Sequence, residues 1–145
     1  MKKFFFLTLI FAIFSCNTGE QPDIFGYRAN LNVDLSSYQY RDLKNLYSYK
    51  IVTSPLYDGE YCGFAGILLY HGSQDIYYAY ELACPYEAKK NITIEIAENG
   101  LNAECPQCGS IYSLDAGGLR VDGPTTYNLT RYQVISTSTG FTVRN

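Results

Sequence analysis

Five cysteines and a single histidine are the side chains of this sequence best suited to metal or redox chemistry. Cys84 stands in the box Ala83-Cys84-Pro85-Tyr86. Cys105 and Cys108 stand in Cys105-Pro106-Gln107-Cys108-Gly109-Ser110-Ile111-Tyr112. Placed on neighbouring loops, the two boxes would bring three thiols together, and convergent soft ligands on rigid supports are what zinc and iron–sulfur sites need. Because His71 is the only histidine, a site needing two imidazoles from one chain is excluded. His71 opens the turn-like His71-Gly72-Ser73 after an apolar run and reads as a solvated turn residue. A lone turn histidine is poor material for a general base, and neither a Gly-rich phosphate loop nor HExxH is present. Cys105-x-x-Cys108 also matches a thioredoxin-type spacing, but that motif opens a helix in a βαβ setting, and here strand signals lie on both sides. The chain therefore reads as a binding protein and not as an enzyme.

The elements that must position these residues are short strands. Gly66 to Tyr70 reads as a buried strand, and Asp75 to Leu82 carries Tyr77, Tyr78 and Tyr80, which suit sheet faces. Asn91 to Ala97 alternates strictly, with Ile92, Ile94 and Ile96 on one face. Asn99-Gly100 is a strong hairpin turn, because both residues tolerate positive φ. Leu101–Glu104, Ile111–Leu114, Leu119–Asp122, Tyr127–Ile135 and Gly140–Arg144 follow as further short strands. This spacing predicts an all-β, antiparallel sandwich with the cysteine boxes on two loop tips and the Asn99-Gly100 turn at the opposite end. Upstream, Leu31, Val33 and Leu35 alternate as in a strand, and Leu43 and Leu46 could share one helical turn. Glu87, Lys89 and Lys90 read as solvated loop charges; Glu87 could approach the site as an oxygen ligand, although no spacing requires it.

From Tyr61 to Asn145 the order of these features resembles the Rieske iron–sulfur family. Cys84 and Cys105 stand where that family's two cysteines stand, Gly109-Ser110-Ile111-Tyr112 matches its Gly-Ser-x-Tyr tail, and Gly123-Pro124 resembles its proline loop. The resemblance implies the fold, electron transfer to a protein partner, and hydroxyls of Ser110 and Tyr112 donating to sulfur. The departures fall on the ligands. Tyr86 and Cys108 stand where the family's two histidines would be, so a two-His, two-Cys centre cannot form. Three readings stay open. Cys84, Cys105 and Cys108 could hold a [2Fe–2S] cluster with Tyr86 or Cys62 as fourth ligand, at a potential well below the Rieske range. They could hold zinc. Or no metal binds, two cysteines form a disulfide, and the protein is a structural or interaction module that kept the fold. Cys62 itself reads first as inert buried packing, with the role of fourth ligand or disulfide partner as the alternative.

The first sixteen residues read as an export signal. Lys2 and Lys3 form a positive start, Phe4 to Phe14 is apolar but too short to span a bilayer, and Ser15-Cys16 follows. This segment resembles the lipobox of bacterial lipoproteins, which implies cleavage before Cys16, acylation of Cys16, and anchoring to the lipid bilayer of the cell envelope. The outer membrane is the expected site, with an envelope or redox protein as partner. The expected organisation is a signal at residues 1–15, a lipidated tether at 16–23, an extension packed on the domain at 24–55, and the Rieske-like domain at 56–145. A chain of 145 residues suits one such domain. Its 15 tyrosines and 8 phenylalanines favour β structure, and 47% hydrophobic residues exclude a disordered chain. A formal charge of −3 argues against a nucleic-acid partner.

Overall fold

The computed structural model describes Ile24 and residues 26–145; Cys16 and the rest of the expected signal and tether lie outside the described residues. The described chain is all-β and antiparallel, with strands in two sheets. The larger sheet has seven strands in the order β2-β4-β5-β10-β11-β1-β3 and curls into a nearly closed, barrel-like form. Its members are β1 (Ala29–Asp34), β2 (Tyr49–Val52), β3 (Tyr61–Cys62), β4 (Ile67–His71), β5 (Tyr77–Glu81), β10 (Arg131–Ser136) and β11 (Gly140–Arg144). The smaller sheet has four, β6 (Glu95–Ile96), β7 (Asn102–Glu104), β8 (Ile111–Ser113) and β9 (Leu119–Asp122), in sequence order.

Alternation explains β1: Ala29, Leu31 and Val33 are buried while the residues between them are not. They join Ile67, Leu69, Phe141 and Val143 in one core cluster. A second cluster, around Leu68, Tyr70, Tyr80, Tyr112 and Leu114, contains Cys84 and Cys105. β4 serves both, because it is buried along its whole length and its successive side chains point to opposite faces. Residues 24–55, expected to lie against the domain, are hydrogen-bonded parts of it. β1 pairs with both β11 and β3, and β2 pairs with β4 along four residues. The expected helical turn is a single 3-10 turn at Arg41–Lys44; Leu43 is buried and Leu46 is exposed.

The alternating Asn91–Ala97 segment is not one continuous strand. Thr93 bridges Ala83 and the Ile94 N–H donates to the Leu82 carbonyl, whereas Glu95 and Ile96 pair with β7. The segment changes partner midway and so ties the smaller sheet to the end of β5. The Asn99-Gly100 hairpin forms as expected. The Gly100 N–H donates to the Ala97 carbonyl, Gly100 has φ +67, and the Asn99 side chain accepts from the N–H groups of Leu101 and Asn102. β7 runs from this turn to Cys105, which puts the turn and the cysteine at opposite ends of the strand.

His71 corrects the sequence reading. It is the last residue of β4, paired with Tyr77 and only 2% exposed. Its ring stacks on Tyr77 with centroids 4.2 Å apart, and its nitrogens face the Asn45 carbonyl at 3.1 Å and the Asp75 carboxylate at 2.9 Å. The chain reverses only after it, where the Gly72 N–H donates to the Ile76 carbonyl.

Candidate metal centre

Each cysteine box follows a paired position. Cys84 comes directly after the Ala83–Thr93 bridge, and Cys105 directly after the Glu104–Ile111 pair of the β7–β8 hairpin. The Cys84 N–H donates to the Ile92 carbonyl at 3.0 Å, and the Cys105 N–H to the Ser110 carbonyl at 2.9 Å. Each loop then turns back on its own cysteine. The Ala88 N–H donates to the Cys84 carbonyl at 2.9 Å and the Gly109 N–H to the Cys105 carbonyl at 2.8 Å. Both residues that close these turns have positive φ, 50° at Ala88 and 70° at Gly109. Pro85 and Pro106 fix φ at the first step of each turn and lose nothing by lacking an N–H there.

The sulfur atoms of Cys84, Cys105 and Cys108 all lie within 4.8 Å of one another. Cys84 Sγ and Cys108 Sγ are 3.7 Å apart, in contact and unbonded, and the described cysteines are all free thiols. Cys84 and Cys105 are fully buried, and Cys108 is half-buried at the mouth. Ser110 Oγ is 3.1 Å from Cys108 Sγ, and the Tyr112 hydroxyl is 3.8 Å from Cys84 Sγ. Burial pushes the Cys105 thiol up to about 12, against the pull of the Cys108 and Gln107 N–H groups directed at its sulfur. Burial also acts to raise Cys108, but hydrogen bonding with the Ser110 hydroxyl and N–H, and with the other two cysteines, outweighs it and brings that thiol below its ordinary value. Burial, with Cys84 adjacent, raises the Tyr112 phenol, so its hydroxyl stays protonated beside the sulfur.

The neighbouring 122–125 turn covers the second loop. A Cβ on Gly123 would stand 2.4 Å from Ser110 Cα, so the two backbones meet where only glycine fits. The buried Thr125 donates its N–H to Ser110 Oγ at 3.3 Å.

The structure thus gathers Cys84, Cys105 and Cys108, with Ser110 and Tyr112 beside them. It does not bring the two expected fourth ligands to them. Tyr86 is 50% exposed, and Cys62 pairs with Ala29 and packs against the other core cluster. Two contributors escaped the sequence reading. Thr125 lies in a polar run with no pattern to mark it. Glu81 is fully buried, and its carboxylate accepts from the N–H groups of Phe64, Ala65 and Ala83 and from the Tyr132 hydroxyl. A charged residue in the otherwise uncharged Tyr77–Leu82 stretch was the available signal. Through Ala83 this carboxylate fixes the backbone that launches Cys84. No known family's sequence pattern matches this chain, and no curated protein is similar to it in sequence.

Proposed function

We propose that this protein is a metal-binding lipoprotein of the bacterial envelope, holding one thiophilic ion through Cys84, Cys105 and Cys108. The observation that carries the reading is the three-sulfur group itself. A metal–sulfur distance of about 2.3 Å gives a tetrahedron with sulfur–sulfur edges of roughly 3.8 Å. The 3.7 Å between Cys84 and Cys108 matches that edge, and the 4.8 Å limit leaves Cys105 a small adjustment away. A two-iron cluster carries its protein ligands terminally on two irons bridged by sulfide, so ligands on opposite irons stand farther apart than ligands on one. The compact group favours a single ion, and zinc suits it. Zinc bound there would cross-link the loops after β5 and β7 and contribute directly to folding free energy.

A second reading has its own support. Ser110 and Tyr112 place hydroxyls at two of the sulfurs, an arrangement that tunes a redox metal. Together with the resemblance to the Rieske family, this favours iron and electron transfer to an envelope partner. Metal and sulfide analysis of the full chain, purified anaerobically in mild detergent, decides between them. One zinc per chain and no visible colour supports the first reading. Iron with visible absorbance supports the second, and inorganic sulfide would identify a cluster. A chain with no metal and a disulfide among these cysteines would refute both and leave a structural lipoprotein.

A further inference from the structure

Zinc has no redox chemistry of its own, so a zinc–thiolate site exchanges electrons through its sulfurs. The three sulfurs here are not equivalent. Cys108 is half-buried at the mouth, whereas Cys84 and Cys105 are fully buried, so a small oxidant arriving from solvent meets Cys108 first. That sulfur has a partner on the opposite loop, since Cys84 Sγ lies 3.7 Å away. A disulfide bond is about 2.0 Å long, which leaves the two sulfurs about 1.7 Å to close. Cys105 is held differently. The N–H groups of Gln107 and Cys108 point at its sulfur, its own N–H donates to the Ser110 carbonyl, and its carbonyl accepts from Gly109. Joining Cys105 to Cys108 would pull a sulfur off two donors inside its own turn, whereas joining Cys84 to Cys108 only draws two separate loops together.

We propose that Cys108 and Cys84 form a peroxide-sensitive pair whose reversible disulfide releases the bound ion, an inference that rests on the three-cysteine site proposed above. The oxidant is a hydroperoxide, of which hydrogen peroxide is the simplest. The Cys108 thiolate attacks one peroxide oxygen. A sulfur–oxygen bond forms, the oxygen–oxygen bond breaks, and the departing hydroxide takes up a proton as water. Cys108 is then a sulfenic acid, the state from which an accessible thiol beside a second one goes on to a disulfide. The Cys84 thiolate attacks that sulfur. The sulfur–sulfur bond forms, the sulfur–oxygen bond breaks, and hydroxide again leaves and takes up a proton as water. In all, two thiolates give up two electrons and the peroxide takes them. Cys105 is left as the single thiolate, and one thiolate does not retain an ion that three held. The new bond joins the same two loops that the ion had cross-linked, so the ion leaves without freeing the loops. A dithiol reductant restores the site by exchange.

Treatment of the zinc-loaded full chain, in mild detergent and without air, with one equivalent of hydrogen peroxide tests this. A chromogenic chelator counts the zinc released against a peroxide-free control, and non-reducing peptide mapping after iodoacetamide locates the remaining thiols. Release of zinc should accompany a mass loss of two hydrogens. The peptides of Cys84 and Cys108 should be linked, Cys105 and Cys62 should be alkylated, and dithiothreitol with zinc should rebuild the loaded form. Cys105→Ser, shown to be folded by circular dichroism, should still form the Cys84–Cys108 bond with peroxide. Zinc retained by the treated parent, a disulfide through Cys105 or Cys62, or Cys108 carried on to sulfinic acid overturns the pairing and leaves the three-cysteine site standing. So does the absence of the bond in folded Cys105→Ser. A parent that takes up no zinc before peroxide is added overturns the three-cysteine site, and the pairing with it.

Discussion

Replacing Glu81 by Gln should destabilise the protein by about 3 kcal/mol, and the number follows from the donors that surround it. One carboxylate oxygen accepts from Phe64 N–H at 2.7 Å and the Tyr132 hydroxyl at 2.6 Å; the other accepts from Ala65 N–H at 2.9 Å and Ala83 N–H at 3.0 Å. Glutamine presents an oxygen on one side and an NH2 on the other. The least damaging choice turns the NH2 towards Phe64 and Tyr132, because only the Tyr132 oxygen can switch to accepting. The part-buried Phe64 N–H then loses its acceptor, at a cost towards the low end of about 1–3 kcal/mol. The three surviving bonds lose their charge assistance, roughly 1 kcal/mol each. The neutral amide is easier to bury, which offsets part of that sum and leaves the loss near 3 kcal/mol. Urea unfolding of the metal-free chain measures it. With a slope of about 1–3 kcal/mol per molar urea, the midpoint should fall by about 2 M at unchanged slope. A variant within 1 kcal/mol of the parent would show that Glu81 is not the anchor described here.

Four further outcomes follow from other parts of the molecule. Burial, with nearby acidic groups, pushes the phenols of Tyr40 and Tyr70 from 10.0 to about 12. Each thus contributes stability that is complete below pH 10 and lost as pH rises to about 12, up to about 3 kcal/mol apiece; ultraviolet tyrosine titration should show a cooperative late step coinciding with unfolding, and a smooth titration near pH 10 would contradict it. Gly123→Ala forces a Cβ to within 2.4 Å of Ser110 Cα at φ +94, so it should cost about 1–3 kcal/mol from backbone strain alone and weaken zinc binding measured by competition with a chelator. Ser110→Ala removes the hydroxyl that lowers the Cys108 thiol, so the pH profile of iodoacetamide alkylation at Cys108 in the metal-free chain should move to higher pH; an unmoved profile would refute the contact. Cys16→Ala should release the protein from membranes or stall its maturation, and unchanged membrane association on fractionation would defeat the lipid anchor.

How far the sequence could be read depends on whether a feature is local. The Asn99-Gly100 turn and the alternation in β1 rest on residues next to each other, and both formed as expected. The convergence of Cys84 with Cys105 and Cys108 was legible because it needs only two adjacent hairpin-like loops. What failed depends on long-range packing. His71 looked like a turn residue because a glycine follows it, yet the Asn45 carbonyl and Tyr77, from separate parts of the chain, bury it. The Asn91–Ala97 alternation marked a strand but could not show that the strand changes partner between Ile94 and Glu95.

The site itself shows the same limit. Aligning motifs by residue offset points to Tyr86, two residues after Cys84, as a ligand, yet that side chain is half exposed and the sulfur group forms without it. Ala88 and Gly109 close the two cysteine turns in the same way, each returning its N–H to the carbonyl of the cysteine four residues before it. Offsets in sequence do not fix direction in a turn; the hydrogen bond that closes the turn does.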